Sequence, residues 1–303
     1  MKKILVLTCL FGAMAFNSFA SAERPTVTVE TGSLQGTTEY NMNVFKNIPY
    51  AAPPVGDLRW RPPQPAASWN GTRDASQFGD SCPQRKLKNE SKGLGLPGNE
   101  DCLKLNVYTP QKPAKDLPVM VWIHGGALQM DGAKDPIYTP INLVKNGVIV
   151  VTFDYRLGSL GFFASKELIA EAKAKGEPVG NYGTMDQIAV LKWVKRNIAA
   201  FGGNPNNVTI FGESAGARSV TWLMVSDAAR GLFHRAIAES AQQSPVRGLD
   251  QKRLGLPPAT ELASKYMATL GVKSLKELRS LPAQKLVLTP VNLQAGEFAS
   301  SMI

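Results

Sequence analysis

Apolar residues from about position 105 onward are grouped into short runs, separated by longer stretches with helical spacing. Apolar strands that alternate with helices are typical of a largely parallel sheet covered by helices on both faces. The sequence therefore predicts an α/β fold. The predicted strands are Leu105 to Tyr108, Val119 to Ile123, Val148 to Phe153, Val208 to Phe211 and Ala236 to Ala238.

The region before these strands has a different pattern. Between residues 26 and 50, apolar positions such as Val27 and Val29 alternate with polar ones, and Gly32 and Gly36 mark turns. A period of two with closely spaced turn residues indicates short strands joined directly to one another. We expect an antiparallel N-terminal portion in the sheet.

The clearest helical pattern covers Asp186 to Ile198. Ile188, Leu191 and Val194 recur at steps of three, while lysines and arginines fall on other faces. This spacing predicts a helix with one stripe packed on the sheet and the remainder facing water. Glycines and a proline within residues 201–205 are expected stop signals for that helix.

The first 22 residues have the pattern of a secretory signal. Lys2 and Lys3 precede an apolar stretch too short to span a bilayer, and small residues at positions 20–22 suggest cleavage after Ala22. We predict a signal peptide at 1–22 and a secreted or periplasmic protein with no membrane attachment afterwards. The alternative is an uncleaved membrane anchor.

Residues 23–303 are predicted to form one domain, because 44% of the chain is hydrophobic and α/β folds of this length are often single units. The formal net charge is +10, but no run of five like charges is present. We therefore expect the excess lysines and arginines to form ordinary solvated surface, and we expect no nucleic-acid partner. No cofactor or metal is expected, and the oligomeric state is left open.

Cleavage after Ala22 would remove Cys9 and leave Cys82 and Cys102. Two cysteines in an oxidising compartment, with no accompanying cluster of histidines or cysteines, favour a disulfide over a metal site. The alternative is a pair of free buried thiols.

The candidate chemistry centres on the segment Gly212-Glu213-Ser214-Ala215-Gly216, between the strand at 207–211 and a predicted helix at 217–225. A Gly-x-Ser-x-Gly turn between a strand and a helix presents the serine hydroxyl on a sharp elbow. The five-residue motif alone is a weak signal. Its position between a strand and a helix makes Ser214 the candidate nucleophile.

A second candidate element, His124-Gly125-Gly126-Ala127, follows the strand predicted at 119–123. Backbone N–H groups of such a loop can stabilise the negative oxygen of an acyl-transfer transition state, together with the N–H that follows the nucleophile. The predicted oxyanion-hole donors are Gly126, Ala127 and Ala215. The alternative is a tight turn in which glycine serves only to avoid steric clashes.

These motifs together resemble the type-B carboxylesterase family, which includes cholinesterases and bacterial para-nitrobenzyl esterases. The resemblance covers residues 25 to 285 and implies an α/β-hydrolase fold and a small-molecule ester substrate. Six segments carry it: Glu100 to Asn106, Phe201 to Pro205, Gly212 to Gly216, Asn181-Tyr182-Gly183, Asp186-Gln187, and Leu232 to Ile237.

By position, the resemblance implies that Ser214 forms the acyl-enzyme, that Gly126, Ala127 and Ala215 are oxyanion donors, and that Cys82 and Cys102 are bonded. It also implies a structural ion pair between Arg59 and Glu100.

This sequence departs from the family's pattern in one respect. Its members carry a catalytic acid, usually glutamate, and a histidine in their C-terminal portion, and this chain has two histidines, His124 and His234. His234 precedes the strand at 236–238, so we expect it at the opposite end of the sheet from Ser214. His124 belongs to the predicted oxyanion loop. The acid and base are therefore expected beyond Ile303.

Three hypotheses follow for the 303-residue chain: a fragment of a longer esterase, a naturally shortened and inactive product, or a binding module on an esterase scaffold. The third is weakest because Ser214 is retained. Without a base, we expect little or no esterase activity from residues 1–303 alone. We also expect poor solubility, because the strand at 236–238 would form an open apolar edge.

Overall fold

The computed structural model describes residues 23–84, 98–112, 114–241, 248–253 and 255–288. The predicted signal peptide at 1–22 lies outside the described residues. The strands are β1 (Thr26–Val29), β2 (Gly32–Gln35), β3 (Thr37–Glu39), β4 (Met42–Pro49), β5 (Thr72–Asp74), β6 (Lys104–Pro110), β7 (Leu117–Ile123), β8 (Ile149–Phe153), β9 (Gly203–Glu213) and β10 (Arg235–Glu239).

Helices follow most of the later strands. They are α1 (Ile141–Lys145), α2 (Gly158–Gly161), α3 (Lys166–Lys175), α4 (Tyr182–Asn197), α5 (Ala215–Val225), α6 (Ala259–Leu270), α7 (Leu275–Ser280) and α8 (Ala283–Leu288). In the part of the chain that the structure describes, no helix has both the length and the apolar character needed to cross a bilayer.

A seven-stranded sheet organises the fold, in the order β10, β9, β7, β8, β6, β4 and β3. The first four strands of this order pair in parallel, and the pairs from β8 to β3 are antiparallel. The α/β class and the antiparallel N-terminal portion are therefore confirmed. The change to parallel pairing comes one strand later than the sequence predicted, because β6 is antiparallel to both of its neighbours.

Helices lie on both faces of the sheet. On one face, α4 and α5 bury apolar residues of β7 and β9 in the largest core cluster, which includes Val121, Ile210 and Val220. On the other face, α1 packs against β6 and β8 through Val144 and Val150. A separate cluster joins α6, α7 and α8 to aromatic residues around Trp60. The sheet thus supports the candidate site.

Two predicted pairings are present in the structure. Cys82 and Cys102 form a disulfide with their Cα atoms 5.0 Å apart. The Arg59 guanidinium donates from Nε and Nη2 to the two carboxylate oxygens of Glu100, at 2.8 and 2.6 Å. Both pairings lie beside the segment that precedes β6 and tie it to the rest of the fold.

Candidate active site

Ser214 occupies a single-residue elbow between β9 and α5. Its backbone angles are φ 53° and ψ −116°, which place a non-glycine residue in a disfavoured region. Such strain persists only where the surrounding structure enforces it, and it is concentrated at functional sites. The side chain is half-buried at the N-terminus of α5. This is the geometry that presents a serine hydroxyl away from the sheet.

The flanking glycines are required by the close approach of β7. A Cβ atom on Gly212 would lie 2.6 Å from the carbonyl oxygen of Ile123. A Cβ atom on Gly216 would overlap that same oxygen and would lie 3.0 Å from the carbonyl oxygen of His124. Because these neighbours are backbone atoms, they cannot move aside as a flexible side chain could. The elbow therefore depends on glycine at both positions.

The predicted oxyanion loop lies directly against the elbow. A Cβ atom on Gly125 would be 3.0 Å from the carbonyl oxygen of Glu213 and 3.6 Å from Cβ of Ser214. Gly126 and Ala127 both have positive φ angles, of 82° and 55°. The structure thus brings the loop and the candidate nucleophile together, although they are nearly ninety residues apart in sequence.

The N–H groups assigned by sequence are available as donors. Among the described residues, the N–H groups of Gly126, Ala127 and Ala215 donate no hydrogen bond. By contrast, the N–H of Ser214 donates to the carbonyl oxygen of Glu239 at the end of β10, at 2.9 Å. Free N–H groups at a helix start and in a strained turn can donate hydrogen bonds to an oxygen that develops negative charge.

The segment that follows β8 supports the oxyanion loop from one side. The Tyr155 hydroxyl donates to the carbonyl oxygen of His124 at 2.9 Å, and the N–H of Gly158 donates to that of Leu128 at 2.7 Å. The N–H of Ala133 donates to Oδ1 of Asp154 at 3.1 Å. Burial raises the pKa of Asp154 to about 7. These hydrogen bonds hold the loop against the segment after β8 at three points.

His124 does not contact Ser214 as a base would. Its Nδ1 hydrogen bonds with the carbonyl oxygen of Gly125 at 3.1 Å, and its ring stacks on Tyr155 with centroids 4.3 Å apart. Burial lowers the pKa of His124. No hydrogen bond joins the imidazole to the Ser214 hydroxyl in the part of the chain that the structure describes. His124 is therefore a buried residue of the loop.

His234 lies at the opposite end of the sheet, as the sequence predicted. Its N–H donates to the carbonyl oxygen of Val208 at 2.8 Å, and its Nδ1 accepts from the N–H of Val208 at 3.1 Å. Val208 and Ser214 are separated along β9 by about 20 Å of extended chain. His234 thus joins the middle of β9 to the start of β10 and cannot reach the elbow.

The sequence did not reveal a buried ion pair between α4 and the segment after β8. Arg156 donates from its backbone N–H, Nε and Nη2 to the carboxylate of Asp186, at 2.7 to 3.1 Å. Burial raises the pKa of Asp186, and Arg156 opposes that shift. The neighbouring Gln187 donates from Nε2 to the Ser219 hydroxyl at 3.0 Å and so joins α4 to α5. The Asp186-Gln187 motif was visible in the sequence, but its partners were not.

An apolar groove of about 420 Å³ opens on the sheet face that carries Trp122 and Phe211. Their rings contact each other with centroids 4.8 Å apart, and Trp122 also contacts Tyr138. The groove lies between these strands and the segment leading into α1.

Comparison with known proteins relates the whole described chain to one family. Residues 23–301 match the family described as the carboxylesterase family. Para-nitrobenzyl esterase from Bacillus subtilis (strain 168) is 40% identical over 275 residues, covering 89% of this chain and 53% of that protein. Fumonisin B1 esterase from Sphingopyxis macrogoltabida is 42% identical over 77% of this chain and 43% of its own length.

Solved structures agree with these relatives. A thermophilic PNB esterase superposes with a TM-score of 0.78 at 38% identity, covering 88% of this chain and 53% of that one. A carboxylesterase from Geobacillus stearothermophilus superposes with a TM-score of 0.75 at 37% identity, covering 90% and 54%. The chain therefore spans about half the length of the relatives that it matches.

Proposed function

This chain belongs to the carboxylesterase family, and we propose that it carries the nucleophile and oxyanion hole of a serine hydrolase acting on small-molecule carboxylic esters. The observation that carries the proposal is the strained elbow at Ser214, set against a loop with free N–H donors. Serine and oxyanion donors in this arrangement are the components that acyl transfer requires.

In the proposed reaction, Oγ of Ser214 attacks the ester carbonyl carbon while a base removes the hydroxyl proton. The carbonyl electrons move to oxygen, and the N–H groups of Gly126, Ala127 and Ala215 stabilise that charge. The C–O bond to the alcohol then breaks, and the alcohol takes the proton from the base. Water repeats the sequence on the acyl-enzyme and releases the acid.

The described residues offer no candidate for the catalytic base. His124 is engaged within the loop, and His234 lies at the far end of the sheet. We propose that a histidine, oriented by an acidic residue, enters the site from outside these 303 residues. It follows that residues 23–303 alone should turn over esters about 10⁶-fold more slowly than the complete site.

The test uses protein expressed from its complete gene and para-nitrophenyl acetate as substrate. Ser214→Ala should reduce turnover by about 10⁶-fold. It should leave the thermal melt unchanged, because Ser214 is half-buried and lies outside the apolar core clusters. A fluorophosphonate should label Ser214. Ser226→Ala, at the far end of α5, is the matched control and should retain full turnover. Labelling at another residue, or activity retained by Ser214→Ala, would reject the assignment.

We also propose that the protein is exported to an oxidising compartment. The disulfide between Cys82 and Cys102 supports this, because such bonds persist mainly in secreted and periplasmic proteins. N-terminal sequencing of protein recovered from the periplasm or medium should begin at Glu23. A mature protein that retains Lys2 and Lys3 would contradict cleavage after Ala22.

A further inference from the structure

The oxyanion loop contains an unusual concentration of backbone strain. Besides Gly126, three non-glycine residues have positive φ angles: Ala127 at 55°, Leu128 at 58° and Asp131 at 88°. Residues with side chains adopt this region only when neighbouring groups enforce it. The loop therefore requires external contacts to keep Gly126 and Ala127 in their observed orientation.

One such contact comes from Gln84, which lies outside the sheet and close to the disulfide. Its Nε2 donates to the carbonyl oxygen of Asp131 at 2.9 Å, and its Oε1 accepts from the N–H of Asp131 at 2.8 Å. A primary amide that pairs with both backbone groups of one residue fixes that residue's position and its peptide orientation. The residue fixed in this way is the one with the largest positive φ among the three.

Gln84 is itself held in place. Its side chain is buried, and Nε2 also donates to the carbonyl oxygen of Cys82 at 3.1 Å. The disulfide anchors Cys82 to Cys102 at the start of the β6 region. Gln84 thus links the disulfide-bonded segment by hydrogen bonds to a loop residue that is 47 positions further along the chain.

The held residue is coupled to the donors by a tight turn. The N–H groups of Gln129 and Met130 both donate to the carbonyl oxygen of Gly126, at 2.9 and 3.1 Å. The turn therefore joins the peptides that precede Gln129 and Met130 to the peptide that precedes Ala127. The peptide that precedes Asp131 is also close, because its carbonyl oxygen, from Met130, would lie 2.2 Å from a Cβ atom on Gly126. A shift of Asp131 would rotate the N–H of Ala127 away from the site.

We propose that Gln84 is a positioning residue for the oxyanion hole, acting through Asp131. It would touch neither substrate nor Ser214. The catalytic consequence rests on the proposed function, whereas the effect on loop order does not.

The experiment uses protein expressed from its complete gene and compares Gln84→Met with the unsubstituted protein. Methionine has nearly the volume of glutamine and removes both hydrogen bonds to Asp131. Amide hydrogen exchange in residues 124–133 should accelerate at least 10-fold, and kcat for para-nitrophenyl acetate should fall about 10- to 100-fold with KM within 2-fold. Gln64→Met is the matched control, since the Gln64 side chain donates to the nearby carbonyl oxygen of Pro62, and the backbone carbonyl that accepts from Ala52 is kept in the variant. It should change neither quantity.

Gln84→Glu is a second variant, needed if Gln84→Met does not fold. A carboxylate can accept from the N–H of Asp131 but cannot donate to its carbonyl oxygen, so an intermediate effect on exchange and kcat is expected. Unchanged exchange in 124–133 for a folded Gln84 variant would overturn the proposal. A lower melting temperature with unchanged kcat and loop exchange would show a merely structural role.

The two hypotheses fail in distinguishable ways. If the unsubstituted protein turns over no ester, the proposed function is wrong, while loop exchange still decides the role of Gln84. If turnover is normal and depends on Ser214 but loop exchange and kcat are insensitive to Gln84, the positioning role is wrong and the esterase assignment stands.

Discussion

The two faces of strands β7, β9 and β10 differ sharply in their surroundings. On one face, Val121 and Ile210 are fully buried beneath α4 and α5. On the other, Trp122 and Phe211 are half-buried beside the open groove, and Ile237 is 43% exposed. Neighbouring residues of one strand thus have opposite environments, since side chains alternate between the faces.

The contacts that support the candidate site come from the covered face and from the segment after β8. The elbow at Ser214 and the oxyanion loop are supported by buried contacts from α4, α5 and the segment after β8. In the described ranges, helix α1 packs on the second face mainly over β6 and β8. Substitutions on the first face should therefore be costly, whereas those on the second face should be tolerated.

The largest expected effect on stability is that of breaking the buried ion pair between Asp186 of α4 and Arg156. Asp186→Asn removes the charge that compensates the Arg156 guanidinium, which is itself buried. An uncompensated buried charge should lower the free energy of unfolding by about 3 to 5 kcal/mol. Urea denaturation, followed by tryptophan fluorescence, measures the difference.

The control for this prediction is an exposed pair of the same type. Glu30→Gln breaks the pair between Glu30 and Arg196, whose side chains are 37% and 52% exposed. It should cost less than about 1 kcal/mol, because water screens both charges. Equal losses for Asp186→Asn and Glu30→Gln would mean that the interior pair is not dehydrated.

A smaller effect is expected at the elbow glycine. Gly216→Ala places a methyl group against the backbone of Ile123 and His124, which should cost about 2 to 3 kcal/mol and slow fluorophosphonate labelling of Ser214. Gly231→Ala is the control: its position has open space but a φ of 73°. That variant should lose about 1 kcal/mol through backbone strain, with labelling unchanged. Normal labelling in Gly216→Ala would show that the elbow can relax.

Sequence patterns predicted the parts of this fold that depend on neighbouring residues. The apolar run at 149–153 and the helix after Ser214 were both recognised because burial and periodicity are local signals. The antiparallel direction of β6 was missed, since its apolar residues would be buried equally well by parallel neighbours. Helix α6 was not predicted, although its apolar spacing was available in the sequence.

The candidate site could likewise be predicted only in part from the sequence. Ser214 and the glycine loop were identified from short motifs, and the structure places them together. The amide pairing of Gln84 with Asp131 and the carboxylate of Asp186 on Arg156 were not foreseen. Each joins residues at least 30 positions apart, and no local pattern specifies which distant backbone group a buried polar side chain will meet.

The smallest expected effect is that of a substitution at Ile237. We compare it with the same substitution, isoleucine to threonine, on the opposite face of the neighbouring strand β9. Ile210→Thr buries an unpaired hydroxyl and loses apolar contacts, so it should cost about 2 to 3 kcal/mol. Ile237→Thr keeps the β-branched shape at an exposed position of the edge strand and should cost less than about 0.5 kcal/mol. For residues 23–303 alone, it should also reduce self-association in sedimentation velocity, because β10 is an edge strand of the described sheet and the substitution removes an apolar group from it. A loss above about 1.5 kcal/mol for Ile237→Thr would mean that the second face is covered in solution, and the contrast between the two faces would then be wrong.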